Sequence, residues 1–239
     1  MRVNENKDFV DGKLYTVVNY IYWILMSSIL FIVTNIAFAF ILFVSVAALQ
    51  QKAIPVFIIF MALAIASLPM GPSFTALFTV MDKVIKRSDV AVVSDFFRGY
   101  RRNFGKSILA WSIVLFFLTL AMVNYYIIIQ TGTAEFLIFP IFLLTAFLLC
   151  ANFYIFPLIS KYYLSTKDTF RLALYFSLKE FKVTLLILVA TILVGIMFFM
   201  FPSILFIVAP GLLALIIQFL VRHPLSVVQA KVKEVEING

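Results

Sequence analysis

The sequence predicts an all-α fold, a polytopic transmembrane helical bundle of about six spans, and three observations predict it. Of its 239 residues, 64% are hydrophobic and 13% charged, with a mean hydropathy of +1.11; a soluble domain of this size cannot hide so much apolar surface from water. The uncharged stretches 14–49, 53–81, 107–130, 136–160 and 183–221 each exceed the roughly 20 residues that carry a helix across ~30 Å of hydrocarbon. The basic residues fall in the connections between those stretches. Lipid is therefore the solvent, and residues 1–239 read as a single membrane domain with no soluble one.

The N-terminal MRVNENKDFVDGKLY alternates acid and base and has no Ala-x-Ala cleavage site, so the first span is expected to act as an uncleaved signal anchor. The run 14–49 is too long for one straight crossing. Asn19-Tyr20-Ile21-Tyr22-Trp23 resembles an aromatic belt, which sets the span at 23–46 and lays the preceding segment at the interface. The next spans are read as 54–80, 107–130 and 136–160. The last run is about twice one crossing, and Phe201-Pro202-Ser203 divides it into 183–201 and 203–221.

Positive charge sets the orientation. With the N-terminus inside, eighteen of the nineteen Lys and Arg lie on the cytoplasmic side and only Lys52 lies outside. The expected location is thus the bacterial cytoplasmic membrane with both termini cytoplasmic. The net charge of +8 is a topology signal, and no nucleic-acid partner follows from it.

Two amphipathic, interfacial helices are expected on the cytoplasmic side. In 92–104, Val92, Val93, Phe96, Phe97, Tyr100 and Phe104 form an apolar stripe, with Asp95, Arg98, Arg101 and Arg102 opposite. In 167–181, entered through a Ser165 to Asp168 capping box, Phe170, Ala173, Leu174, Leu178 and Phe181 form the stripe, and Arg171, Lys179 and Lys182 the basic side. These cations, with Asn103 and Phe104 at the end of the first helix, are candidate contacts for anionic lipid or a partner. Asp95-Phe96-Phe97-Arg98 echoes Asp168-Thr169-Phe170-Arg171; a parallel repeat and convergent amphipathic design both account for it.

The most distinctive feature within a span is Leu68-Pro69-Met70-Gly71-Pro72-Ser73, about 22 Å from Ile54 at ~1.5 Å per residue. Two prolines around a glycine should break or kink the helix, with a new half-helix starting near Pro72. Its free N–H groups would make Pro69, Gly71, Pro72 and Ser73 a candidate ligand site, while a kink packed against its neighbours is the plainer reading. Asn35 and Asn152 are the candidate intramembrane polar residues, as interhelical bonds or as the lining of a polar path.

Catalytic constellations are not found. His223 is the only histidine, Cys150 the only cysteine, and there is no Gly-rich phosphate loop, GxSxG or HExxH. The expectation is a protein that is not an enzyme and needs no cofactor or metal.

Across Leu68 to Leu77, Ser94-Asp95-Phe96-Phe97 and Asn103-Phe104-Gly105-Lys106-Ser107 the sequence resembles the YesL-like family of bacterial membrane proteins, a domain-of-unknown-function family, best over Asn19 to Trp111. Met70 departs from the family pattern, which has a polar or β-branched residue before the glycine. The resemblance implies an accessory component of carbohydrate (oligosaccharide) uptake in Gram-positive bacteria, associated with the membrane or ATPase subunits of an ABC-type importer. The chain has no nucleotide-binding motif, so ATP hydrolysis would come from a partner. Two alternatives stand beside this: a stand-alone transporter or facilitator working through the Pro69 to Pro72 kink, and a structural or regulatory protein that recruits a partner or senses anionic lipid.

Overall fold

A computed structural model describes residues 3–51, 55–133 and 135–238, and the side chains among them other than those of 3–14, 56, 203–204 and 227–238. Arg2, Lys52 and Ile54, which entered the topology and span assignments, lie outside the described residues, as do the side chains of Lys7, Lys13, Lys231 and Lys233. Among the described residues the regular structure is helical: α1 Val3–Thr34, α2 Ile36–Gln50, α3 Val56–Ala66, α4 Met70–Ile85, α5 Val92–Arg102, α6 Phe104–Thr131, α7 Ile138–Lys161, α8 Thr166–Lys179, α9 Phe181–Met200 and α10 Pro202–Asn238, with a 3-10 turn at Glu135–Leu137.

Among the described residues, six stretches are long and apolar enough to cross a membrane: Tyr15–Thr34, Phe57–Ile85, Phe104–Thr131, Glu135–Lys161, Phe181–Met200 and Leu205–Ser226. Their ends follow from local chemistry. Gly132 caps α6 in the left-handed conformation (φ 62°), which a residue without Cβ adopts at little cost. Phe201 alone joins α9 to α10, and Pro202 opens α10 at the first helical position, where its missing N–H is no loss. Ser165 Oγ accepts from the Asp168 backbone N–H and starts α8.

The first span differs from its expected bounds of 23–46. α1 runs unbroken through Trp23 to Thr34, and the interruption comes at Asn35, leaving Ile36–Gln50 as a separate, shorter apolar helix. A hydropathy reading cannot see this break, because it is made by one amide side chain inside a uniformly apolar run.

Helix α4 is the central element and packs against α1, α5, α6, α7 and α10. Ala76, Leu77, Val80, Met81 and Val84 are buried along it, and Tyr154, Ile155 and Leu158 of α7, Phe96 of α5 and Val221 and Leu225 of α10 complete the core. The core is therefore concentrated toward the end of the bundle where α5 and α8 lie. That end gathers the basic connections, and contacts between it and three helix ends show that they meet there: Gln218 on Asp82, Tyr162 on the Leu225 carbonyl and Arg102 on the Ser160 carbonyl. At the opposite end, large side chains such as Phe43, Phe139, Phe142 and Phe199 are exposed on the isolated chain, as lipid-facing residues should be.

Helix α5 begins at Val92, as read from sequence, and α8 at Thr166, one residue before the expected start; each ends two residues before its expected end, at Arg102 and Lys179. Both set a Phe or Thr following an acid into the core, Phe96 and Thr169, and both leave the next arginine, Arg98 and Arg171, exposed. The two acids differ: Asp95 is buried, whereas Asp168 is exposed at its helix start.

Candidate functional site

Two helix breaks lie side by side. At the first, the Asn35 N–H donates to the Ile32 carbonyl (3.1 Å), three residues back, and the Phe31 carbonyl, left without its usual donor, accepts from Asn35 Nδ2 at 2.7 Å. At the second, Pro69 has no N–H for Ile65, so the Leu68 N–H takes that carbonyl (3.2 Å), and Met70 donates to Ser67 (2.9 Å). The helix resumes at Met70, with Ser73 N–H on the Pro69 carbonyl at 3.1 Å. The Thr34 and Ser73 hydroxyls, 2.9 Å apart, tie one break to the other.

The break thus covers Ser67 to Pro69, and the helix resumes at Met70, two residues before the half-helix start expected near Pro72. Proline acts on the carbonyls preceding it, so the irregular residues lie N-terminal to the motif. Pro69, at the break, is half-buried, while Gly71, Pro72 and Ser73 are buried in the first turn of α4. A Cβ on Gly71 would meet the Ser107 carbonyl oxygen at 2.5 Å and Trp111 Cβ at 2.8 Å, so α4 and α6 cross here in near-backbone contact. Thr75 and Ser107 hydroxyls, 2.7 Å apart, and Trp111 Nε1 donating to Ser67 Oγ at 3.3 Å reinforce the crossing. The Leu68, Met70 and Ser73 N–H groups and the Ser67 and Ser73 hydroxyls at this break are engaged by protein acceptors. One acceptor is left over: Asn35 Oδ1 is buried without a partner, as are Asn152 Oδ1 in α7 and Gln218 Oε1 in α10.

The second location is the basic end. Asp95, 2% exposed, is held by Lys83 Nζ at 2.7 Å and by the Ala91 N–H at 3.1 Å, with Arg98 at 4.0 Å. Gly99 faces Thr79 so closely that a Cβ would come within 2.8 Å of its hydroxyl. These contacts fix the inner face of α5 on α4 and leave Arg98, Arg101 and Arg102 exposed. Asn103 is buried at the α5 to α6 corner, its amide donating to the Gly99 carbonyl at 3.4 Å, so it shapes the corner instead of contacting lipid or a partner. Phe104 is exposed and stacks beside Tyr100, whose hydroxyl pKa burial raises.

On α8, Arg171 and Lys179 are exposed, and Lys182 is exposed at the start of α9. Lys179 Nζ lies 5.2 Å from the Tyr175 ring centre, and its hydrogen bond to Tyr175 raises its pKa. Arg102 and Lys106 clamp the α7 to α8 connection: Arg102 Nη2 donates to the Ser160 carbonyl (3.2 Å), Lys106 Nζ to the Leu164 carbonyl (3.1 Å), and both cations sit over Tyr163, at 5.4 and 5.3 Å. These contacts tie the α5 to α6 corner to the segment that leads into α8.

Sequence reasoning missed the polar tie beneath that surface. Gln218 Nε2 donates to Asp82 Oδ1 at 3.1 Å, Lys86 pairs with the same carboxylate, and Tyr162 donates to the Leu225 carbonyl at 2.6 Å. Burial, aided by the Asp82 charge, pushes the Tyr162 pKa up to about 12. The i,i+4 spacing of Asp82 and Lys86 is the one signal that sequence offers; the Gln218 partnership spans 136 residues and leaves none.

With both locations in place, comparison with known proteins adds one result: the family model DUF624, described as a protein of unknown function, matches residues 15–125. Over this segment, just under half of the chain, the sequence is similar to the DUF624 family. YesL-like proteins are DUF624 members, so the resemblance and the match agree. The DUF624 segment runs from α1 through both helix breaks, α4 and α5 into α6, and ends before α7 and α8. No curated protein and no solved structure matches the chain.

Proposed function

We propose that this chain is an accessory membrane subunit of carbohydrate uptake in the bacterial cytoplasmic membrane, bound to an ABC-type importer through the outer faces of α5 and α8. The observation that carries this reading is the two-sided build of α5. Its inner face is locked to α4 by Asp95 and Gly99, while Arg98, Arg101 and Arg102 point outward beside exposed Val93 and Phe97. A surface of arginine and aromatic side chains on a rigid support is the composition that partner interfaces favour. The excess of Lys and Arg at this end supports a cytoplasmic position for it, the side on which an importer's ATPase works. The carbohydrate class comes from the YesL-like resemblance.

The facilitator alternative draws less support from the geometry, because the hydroxyls at the helix breaks bond one another and Gly71 is sealed against α6.

Co-purification tests the proposal. The chain isolated from native membranes should bring down an importer's permease or ATPase subunit. Arg98→Gln, Arg101→Gln and Arg102→Gln together should reduce that recovery at least about tenfold, the effect of ~1.4 kcal/mol. Melting of the Arg98→Gln, Arg101→Gln double variant should change little, since substitutions at exposed positions cost within about 0.5 kcal/mol each, and its recovery should also fall; Arg102→Gln gives up the Ser160 and Tyr163 contacts as well and should lower melting. Importer subunits absent from the wild-type eluate, in a detergent that preserves the importer itself, would refute the assignment.

A further inference from the structure

Beyond Asn35 and Ser67, helices α2 and α3 pack mainly on each other and barely on the remaining helices. The two breaks, tied by Thr34 and Ser73, thus form the base from which this hairpin leans away from α6 and α7. The space left between them is a cavity of about 750 Å³, lined by Phe38, Phe60, Leu63, Trp111, Leu118 and Phe142 among others.

We infer that this cavity is a binding site for a single long acyl chain. Its lining follows α6 from Trp111 to Tyr125, about 21 Å at ~1.5 Å per residue, so the space is an elongated slot that suits an extended chain better than a compact ring system. Its volume falls in the range of roughly 300–1,000 Å³ typical of small-molecule sites.

Three of the polar side chains in the wall are already engaged: Trp111 Nε1 donates to Ser67 Oγ, Ser67 Oγ to the Ala64 carbonyl at 2.8 Å, and Thr145 Oγ1 to the Ile141 carbonyl at 2.8 Å. The hydroxyls of Thr119 and Tyr125 are the others, set among apolar residues. A sugar or an ion entering would exchange its full hydration for two hydroxyls at most, whereas a hydrocarbon chain gives up nothing. The walls belong to membrane-spanning helices, so acyl chains are also the solvent at hand. This site is separate from the α5 and α8 surface and does not depend on the importer assignment.

Trp111 reports on occupancy, because Trp23→Phe leaves it the only tryptophan of the two in the chain. The Trp23→Phe protein is placed in nanodiscs of unlabelled phospholipid and titrated with stearic acid, or separately with phosphatidylcholine, spin-labelled at mid-chain. Saturable quenching of Trp111, reversed by excess unlabelled probe and lost in Ala64→Phe, is the expected result; the probe that saturates first tells a free fatty acid from a phospholipid chain. Ala121→Phe fills the slot from α6 and serves if Ala64→Phe does not melt like the parent. Quenching that rises in proportion to probe mole fraction for both probes, or that persists in a folded slot-filling variant, overturns the inference.

Discussion

Gly211→Leu is expected to destabilise the folded chain by about 3 kcal/mol or more, at or beyond the upper end of overpacking costs, read as a fall in melting temperature in detergent. Pro210, inside α10, brings no backbone donor, and the next residue's N–H, that of Gly211, donates to Ser28 Oγ at 2.8 Å, across to α1. The Ser28 hydroxyl lies 3.3 Å from the Val208 carbonyl. A Cβ at position 211 would stand 2.5 Å from both the Ile24 carbonyl oxygen and Ser28 Oγ, so even alanine forces the two backbones apart. Such near-backbone approach at small residues is how helices associate when lipid removes the hydrophobic drive between them. Gly195→Leu is the matched control, since a Cβ there meets nothing within 4 Å, and its effect should stay within about 0.5 kcal/mol. Equal melting losses at 195 and 211 would show that the α1 to α10 crossing is not the tight contact described.

The second large effect is expected at Asp95. Its side chain is 3% exposed and its Lys83 partner 36% exposed, so Asp95→Leu strands a cation that water reaches only in part. Breaking a buried pair costs about 3–5 kcal/mol, and the exposure of Lys83 places this case at or below the lower end, about 2–3 kcal/mol. The same change removes the acceptor of the Ala91 N–H at the start of α5. Limited proteolysis should then cut around α5 faster, and Lys83→Met in the same chain should recover part of the melting loss. Additive losses in the double variant would mean that the two residues do not act as a pair.

Much of this architecture is legible in the sequence because the governing force is one-dimensional. Length and hydropathy along the chain fix six spans, and the apolar stripes of α5 and α8 mark only part of the buried faces: Val92, Phe96 and Ala173 are buried, whereas Val93, Phe97, Leu178 and Phe181 are exposed and Asp95, read onto the polar face, is buried in its ion pair. Pro202 marks the last hairpin because proline's missing N–H is tolerated at a helix start and disfavoured inside one. What stays hidden depends on pairings across the chain. Asn35 ends α1 by turning its amide onto Phe31, whereas in sequence it is one polar residue in an apolar run. Asn103 looks like a surface residue between Arg102 and Phe104 and is in fact buried at a corner. The Pro69 to Ser73 motif announces a break, but only the Ser107 and Trp111 backbone pressed against Gly71 shows it closed on α6. The slot between the first hairpin and α6 has no sequence signature, since its walls are the same apolar residues that face lipid elsewhere.

The most direct test of the proposed role is a photo-crosslinking amino acid placed at Arg101 on the outer face of α5, activated in intact cells that carry the importer. The expected product joins this chain to an importer permease or ATPase subunit, and it should be missing when the probe stands at Phe139 at the opposite end of the bundle. Adducts to lipid or to no protein at position 101, with the importer present and active, would contradict a docking role for this surface.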